Sequence, residues 1–298
     1  MFKDGVININ KPQGWTSQDV CAKLRNRLKI KKIGHTGTLD PMATGVLPVC
    51  IGKATRIIEY YDRDLKSYRS SMQLGVVTDT LDITGEILER KNFNNITEDS
   101  IFEAFTSYQG LIDQVPPKYS ALKIDGKRAY ELAREGKDIK LQSRKVFIAS
   151  NDINNIDLKN GIVDFTVLCS RGTYIRTICD DIGKKLGCGA SMKSLIRTRS
   201  GCFSIENSTD IIKIVKMTDE EISKKIIPMD NTLLNLGRII LDDNRCIAFK
   251  NGHSTSRYSF KIVEDSRFDS FYRVYSGGMF RGIGEIREGE IYPVKVIK

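Results

Sequence analysis

Gly34-His35-Thr36-Gly37-Thr38-Leu39-Asp40-Pro41-Met42-Ala43-Thr44-Gly45-Val46-Leu47-Pro48 is the stretch from which the rest of the chain is best read. Its three glycines allow tight turns or the close approach of a ligand backbone. Pro41 fixes its own φ and drives Asp40 out of the α region into an extended or turn geometry. An imidazole (His35) and three hydroxyls (Thr36, Thr38, Thr44) surround that carboxylate. An isolated Asp-Pro pair is a common turn signal. The whole string is what a catalytic loop needs: one acid on a stiff backbone, with hydrogen-bonding groups beside it.

Composition bounds what such a loop could serve. The chain has 298 residues, enough for two domains and a large core, and its 40% hydrophobic and 28% charged content is that of a globular protein. A formal net charge of +10 favours a polyanionic partner. No apolar run approaches the roughly 18 to 20 residues of a membrane span, and the first residues carry no secretory signal pattern. The seven cysteines (Cys21, Cys50, Cys169, Cys179, Cys188, Cys202, Cys246) are scattered, with no Cys-x-x-Cys pair, and the only histidines are His35 and His253. No metal site is expected from that spacing; reduced thiols in a cytoplasmic protein are the simple account.

Upstream of the loop, Val6 to Asn10 alternates as a short strand and runs into the turn Lys11-Pro12-Gln13-Gly14. Thr16 reads as an N-cap with Asp19 three residues on, and Val20, Leu24 and Leu28 form one apolar helical stripe. Lys23, Arg25, Arg27, Lys29, Lys31 and Lys32 follow without an acid among them, either a solvated face or a phosphate-tracking surface leading to Asp40. Downstream, Val46 to Ile51 is apolar enough for a buried strand. A phosphate-binding loop at Gly45 to Lys53 is rejected, because six residues separate Gly45 from Gly52 and Ala54 follows Lys53.

Lys66-Ser67-Tyr68-Arg69 leads into a strand at Ser70 to Val76, and Thr78 to Gly85 is a polar turn region. Thr97 caps a helix expected to bury Ile101, Phe102 and Phe105. Residues 116 to 145 look like an insertion opened by Pro116-Pro117, with nine basic and four acidic residues and a helix-like Arg128 to Arg134. Gly161 to Leu168 alternates as a strand and ends at Arg171-Gly172-Thr173-Tyr174-Ile175-Arg176, from which Ile175, Ile178, Ile182 and Leu186 form a helical stripe. A cation at a helix start opposes the helix dipole unless an anion meets it, so Arg176 is expected to pair with Asp40. Lys193, Arg197 and Arg199 surround Leu195. Two short helices (about 210 to 216 and 219 to 225) precede a boundary near Leu236, and the tail alternates strand-like runs with Gly turns, as a small β-barrel would.

The Gly34 to Pro48 string, with Lys11-Pro12, Lys66-Ser67-Tyr68, the Pro116 to Arg144 insertion, Arg171 to Arg176 and Leu195, resembles the TruB family of tRNA pseudouridine synthases over nearly the whole chain. The resemblance implies an α+β fold: a mixed-sheet catalytic domain over 1–236 with a thumb-like RNA-gripping insertion at about 116–145, then a PUA-like RNA-binding β-barrel over 237–298. It implies isomerisation of uridine 55 in the T loop of tRNA to pseudouridine by an isomerase needing no cofactor and no metal. The expected partner is the T arm of tRNA, with no membrane, no obligate protein partner and a monomeric chain.

On that resemblance Asp40, Tyr68 and Arg176 are the catalytic residues. Asp40 acts ionised, and a cation such as Arg176 holds a carboxylate charged. Tyr68 stacks on the flipped base, a common device in RNA recognition, and is implicated in removing the C5 proton. His35, Tyr68, Tyr174, Leu195 and Lys11 bind substrate. Lys23, Arg27, Lys31, Lys32, Lys123, Lys127 and Arg128 are candidate contacts to the RNA backbone, offsetting the few kcal/mol that base flipping costs. The alternatives are a non-catalytic RNA-binding or tRNA-folding protein and a pseudouridine synthase for another RNA. An Asp-dependent hydrolase is weakest, since no second acid or oxyanion motif accompanies Asp40.

Overall fold

Strand periodicity at the start of the chain becomes β1 (Gly5–Lys11), whose Val6, Ile7 and Ile9 are buried, in a computed structural model that describes residues 2–124, 126–137, 139–267 and 270–297. The Thr16 and Asp19 side chains form the expected capping box on α1 (Ser17–Leu28), which buries Val20, Cys21, Leu24 and Leu28 against the sheet. The capping loops and β2 (Ile33–His35) then deliver the chain to the Asp40 loop, and β3 (Thr44–Ile51) carries it back through the core. A 3-10 helix, Gly52–Arg63, follows; it had no counterpart in the sequence reading. Its Ala54, Ile57, Tyr60 and Tyr61 are buried, so tertiary packing holds a conformation that local propensity does not favour.

The remaining elements of the first part are β4 (Lys66–Leu74), β5 (Val76–Thr78), β6 (Ile87–Arg90), α2 (Glu98–Thr106), β7 (Gly110–Gln114), β8 (Lys123–Ile124), β9 (Lys127–Arg128), α3 (Ala129–Arg134), β10 (Arg144–Asp157), β11 (Ile162–Cys169), α4 (Ile175–Lys185), β12 (Ala190–Ser200), β13 (Phe203–Ser204), β14 (Thr209–Asp210), α5 (Ile211–Lys216) and α6 (Asp219–Lys225). Among the described residues a mixed sheet runs β14-β1-β3-β12-β4-β11-β10-β7, with β2 on β3 and β13 on β12. The β1–β14 and β3–β12 pairs are parallel; the others are antiparallel. β3, β12 and β4 therefore lie side by side in the middle, and their residues meet in register. Arg197 on β12 is the Cα partner of both Gly45 on β3 and Tyr68 on β4. Gly45 sits at φ 101°, and a Cβ there would lie 2.3 Å from the Arg197 carbonyl oxygen, so this glycine permits the strand contact.

One expectation needs correction. Phe102 is 49% exposed, while Ile101, Ala104 and Phe105 form the inner face of α2; Phe102 falls one position off the i, i+3, i+4 stripe. The insertion carries its expected helix as α3, preceded by a hairpin of β8 and β9. Its Asp125 and Asp138 lie outside the described residues. β10 was not anticipated, because Asn151, Asp152, Asn154 and Asn155 are poor strand formers; pairing with β11 and β7 holds it extended.

The tail builds β15 (Gly237–Leu241), α7 (Cys246–Lys250), β16 (Phe260–Glu264), β17 (Phe271–Ser276), β18 (Met279–Arg287) and β19 (Glu290–Val296). These strands form a second sheet, β16-β15-β17-β18-β19, around Ile239, Phe249, Val274 and Ile291. Thr255, just before β16, bridges Ile291 on β19, so one segment touches both edges of the sheet. The two parts share a hydrophobic cluster in which Val46, Cys50 and Tyr60 meet Leu236 and Ile283. Lys295 reaches Glu59 at 2.8 Å, and Arg56 donates to the Val296 carbonyl at 2.6 Å. All seven cysteines are free thiols. Among the described residues no helix is long and apolar enough to cross a membrane.

Candidate active site

The Asp40 loop is clamped through its backbone. At the start of α1, the Ser17 hydroxyl accepts from Leu39 N at 2.9 Å and donates to the Leu39 carbonyl at 3.3 Å. Gly14 N donates to the Pro41 carbonyl at 2.8 Å, and Ala43 N to that of Asp40 at 3.0 Å. From the sheet, Arg197 donates to the carbonyls of Val46 at 2.6 Å and Gly37 at 3.1 Å. Held this way, Asp40 presents a carboxylate that is 35% exposed to a cavity of about 570 Å³.

Arg176, the second residue of α4, meets that carboxylate. Its Nη2 lies 3.0 Å from Asp40 Oδ2 and donates to the Tyr119 carbonyl at 2.9 Å. Nη1 donates to the Thr80 carbonyl at 2.9 Å and lies 3.8 Å from Asp82 Oδ2. The guanidinium side chain is 5% exposed, a buried cation satisfied by two carboxylates and two carbonyls. Asp82 is itself fixed, its Oδ1 accepting from Thr84 N at 3.0 Å and from the hydroxyls of Thr80 and Thr84.

The cavity wall comes from five further segments: Tyr68 and Lys66 of β4, Leu195 and Arg197 of β12, Ser120 to Leu122 of the insertion, Arg144 of β10, and Arg171 to Ile175. Tyr68 is 8% exposed and stands in register beside Arg197 of β12. Burial pushes the Tyr68 phenol above its ordinary value, and the Arg197 charge opposes that rise. Tyr174 precedes α4. Its backbone is held on both sides by Gln114, at 2.7 and 3.1 Å, and the Arg144 guanidinium sits 4.7 Å above its ring while donating to the Gly172 carbonyl.

The model of the TruB family pseudouridylate synthase N-terminal domain matches residues 25–175, and that of the tRNA pseudouridylate synthase B C-terminal domain matches residues 176–234. The chain belongs to the TruB family. It is 44% identical over 98% of its length to tRNA pseudouridine synthase B of Clostridium kluyveri, covering 99% of that protein. The enzyme of the same name from Clostridium perfringens is 45% identical over 95% of both chains. Among solved structures, the chain resembles one in a Cbf5-Nop10-Gar1 complex, with a TM-score of 0.76 and 27% identity, over 99% of this chain and 84% of that one.

Within this TruB-family fold, the residues read from the sequence separate into groups. Asp40, Tyr68, Tyr174, Arg176 and Leu195 all line the one cavity. Lys11, expected to touch substrate, is instead buried beneath the loop, its ammonium donating to the carbonyls of Trp15 at 2.6 Å, Pro12 at 2.9 Å and Pro41 at 3.4 Å. Burial lowers its pKa to about 8, with the Asp40 charge opposing. His35 stands behind the wall, with Nε2 3.3 Å from the Gln18 amide, and burial holds its pKa down at about 4, so the ring is neutral. Lys23, Lys31, Lys32, Lys123, Lys127 and Arg128 are exposed. Arg27 is not free for phosphate: it pairs with Asp219 at 2.7 Å and donates to the Met217 carbonyl at 2.5 Å, bracing α1 against the start of α6.

Two residues of the site were missed. Arg197 is 1% exposed and holds the Asp40 loop from the strand that pairs with that of Tyr68; an arginine two positions after Leu195, on the same strand face, was the available signal. Asp82 could have been suspected from its threonine-rich turn, where Thr80 and Thr84 flank it two residues away on either side.

Proposed function

We propose that this chain isomerises a uridine of tRNA to pseudouridine, and that its target is uridine 55 of the T loop. The observation that carries the reading is the Asp40 carboxylate 3.0 Å from a buried Arg176, in the cavity shared with Tyr68 and Leu195. The N1–C1′ bond breaks, the uracil turns, and a C5–C1′ bond forms as the C5 proton leaves and N1 gains one. Atoms and oxidation state are conserved, so the reaction needs no redox cofactor.

In this reading Asp40 is the nucleophile or base, with Arg176 keeping it ionised and aimed. The flipped uracil lies between the Tyr68 ring and the Leu195 side chain. Tyr68 enters as a neutral phenol. If it takes the C5 proton, the Arg197 guanidinium stabilises the phenolate as it forms. Lys11 supports the loop from below, while His35 and Tyr174 shape the pocket. The exposed Lys23, Lys31, Lys32, Lys123, Lys127 and Arg128 track RNA phosphates.

The catalytic unit spans 1–236, and the small β unit from 237 is a PUA-like RNA-binding domain. The chain acts in the cytoplasm as a monomer on the tRNA T arm, without an obligate protein partner. End-to-end similarity to enzymes named for tRNA favours this over an RNA-guided enzyme, although Cbf5 is seen with Nop10 and Gar1 in related structures. The test is tritium release from C5-labelled uridine in an unmodified tRNA transcript. Release is expected with uridine 55 intact and not with cytidine 55. Tight binding with no release from any uridine would instead indicate an RNA-binding or folding protein.

A further inference from the structure

Among the described residues, two buried hydroxyls of the cavity wall have no partner. Ser120 and Thr36 are each 3% exposed, both line the cavity, and neither hydroxyl oxygen has a hydrogen-bond partner among the described residues. A buried polar atom without a partner is costly, and such atoms in folded proteins call for an explanation. These two come from separate segments that the chain holds in place. Thr36 follows β2, with its N donating to the Pro48 carbonyl at 3.1 Å. Ser120 stands next to Tyr119, whose carbonyl receives Arg176, and its own carbonyl accepts from Tyr130 N of α3 at 3.0 Å. The base of the insertion thus reaches to within one residue of the Arg176–Asp40 pair.

We propose that the Ser120 and Thr36 hydroxyls are hydrogen-bonding contacts to the flipped uridine. The inference rests on the pseudouridine reading above. A hydroxyl suits this reaction because it rotates and can donate or accept. Turning uracil by half a revolution about the axis through N3 and C6 exchanges N1 with C5 and O2 with O4. The base edge then reads acceptor, donor, acceptor both before and after the turn, so a fixed hydroxyl serves substrate and product alike. Through Ser120 the insertion contributes to the cavity as well as to the outer RNA surface.

The test compares Ser120→Ala, Thr36→Val and Thr36→Ser with the wild-type chain. It uses single-turnover tritium release from a C5-labelled tRNA transcript and thermal melting of the same proteins. Loss of one neutral hydrogen bond to substrate is expected to slow release about 3- to 10-fold in Ser120→Ala and Thr36→Val. Thr36→Ser, which keeps the hydroxyl, should stay within about twofold of the wild type. Removing an unpartnered buried hydroxyl should leave the melting temperature unchanged or raised. A merely structural hydroxyl would show the reverse, a lower melting temperature at an unchanged rate. Release within twofold of wild type in Ser120→Ala or Thr36→Val overturns the assignment for that residue. So does a slower rate accompanied by a matching fall in melting temperature. No release from the wild-type chain would instead overturn the pseudouridine reading itself.

Discussion

Replacing Arg176 with Met removes the cation and keeps much of the side-chain length. Asp82, whose side chain is 7% exposed, then loses its cation, and the carbonyls of Thr80 and Tyr119 lose their donors. Removing one partner of a buried pair costs about 3–5 kcal/mol, chiefly because the other charge remains buried. For a chain of this size, about 2 °C of melting temperature per kcal/mol gives a fall of about 6–10 °C. Asp82→Asn leaves the Arg176–Asp40 pair in place and should cost less. Adding Asp82→Asn to Arg176→Met removes the stranded charge, so the double variant should be more stable than the two single losses imply, by about 1–3 kcal/mol. Urea unfolding of the four proteins measures this coupling. Additivity within about 0.5 kcal/mol would refute the claim that Arg176 and Asp82 form one buried unit.

His35 gives a pH signature. Its folded pKa of about 4 lies below the ordinary value, so the unfolded chain takes up a proton between about pH 6.5 and 4 that the folded chain refuses. The stability this residue contributes is full above pH 6.5 and is lost as pH falls to 4, by at most about 3 kcal/mol. His35→Gln should flatten urea-measured stability across that window; an unchanged pH slope would contradict the half-buried neutral ring. Among the basic residues, Lys127→Ala with Arg128→Ala should weaken tRNA binding and lower the salt slope by roughly one to two phosphate contacts. Arg27→Ala should leave that slope unchanged and lower stability slightly, since its partners are Asp219 and the Met217 carbonyl.

What the sequence disclosed follows from how local each signal is. The α1 cap and stripe, β1, β3 and the start of α4 were readable because their periodicity and capping residues lie within one turn or strand. The Asp40–Arg176 contact was readable for a different reason: a lone cation at a helix start asks for an anion. Arg197 was not, because its importance depends on register across three strands that are distant in sequence. Lys11 and Arg27 misled in the same way. A basic residue beside a motif reads as a contact to substrate or phosphate, while the fold gives Lys11 and Arg27 backbone carbonyls, and Arg27 a carboxylate as well. β10 and the 3-10 helix Gly52–Arg63 depend on tertiary pairing and burial that no local window carries.

The most direct measurement for the account as a whole is tritium release by Asp40→Asn from C5-labelled uridine in a tRNA transcript, with tRNA affinity measured on the same protein. The account predicts no detectable release and an affinity within about threefold of wild type, because Asn keeps the size of the side chain and loses the nucleophilic charge. Turnover within tenfold of wild type would contradict it.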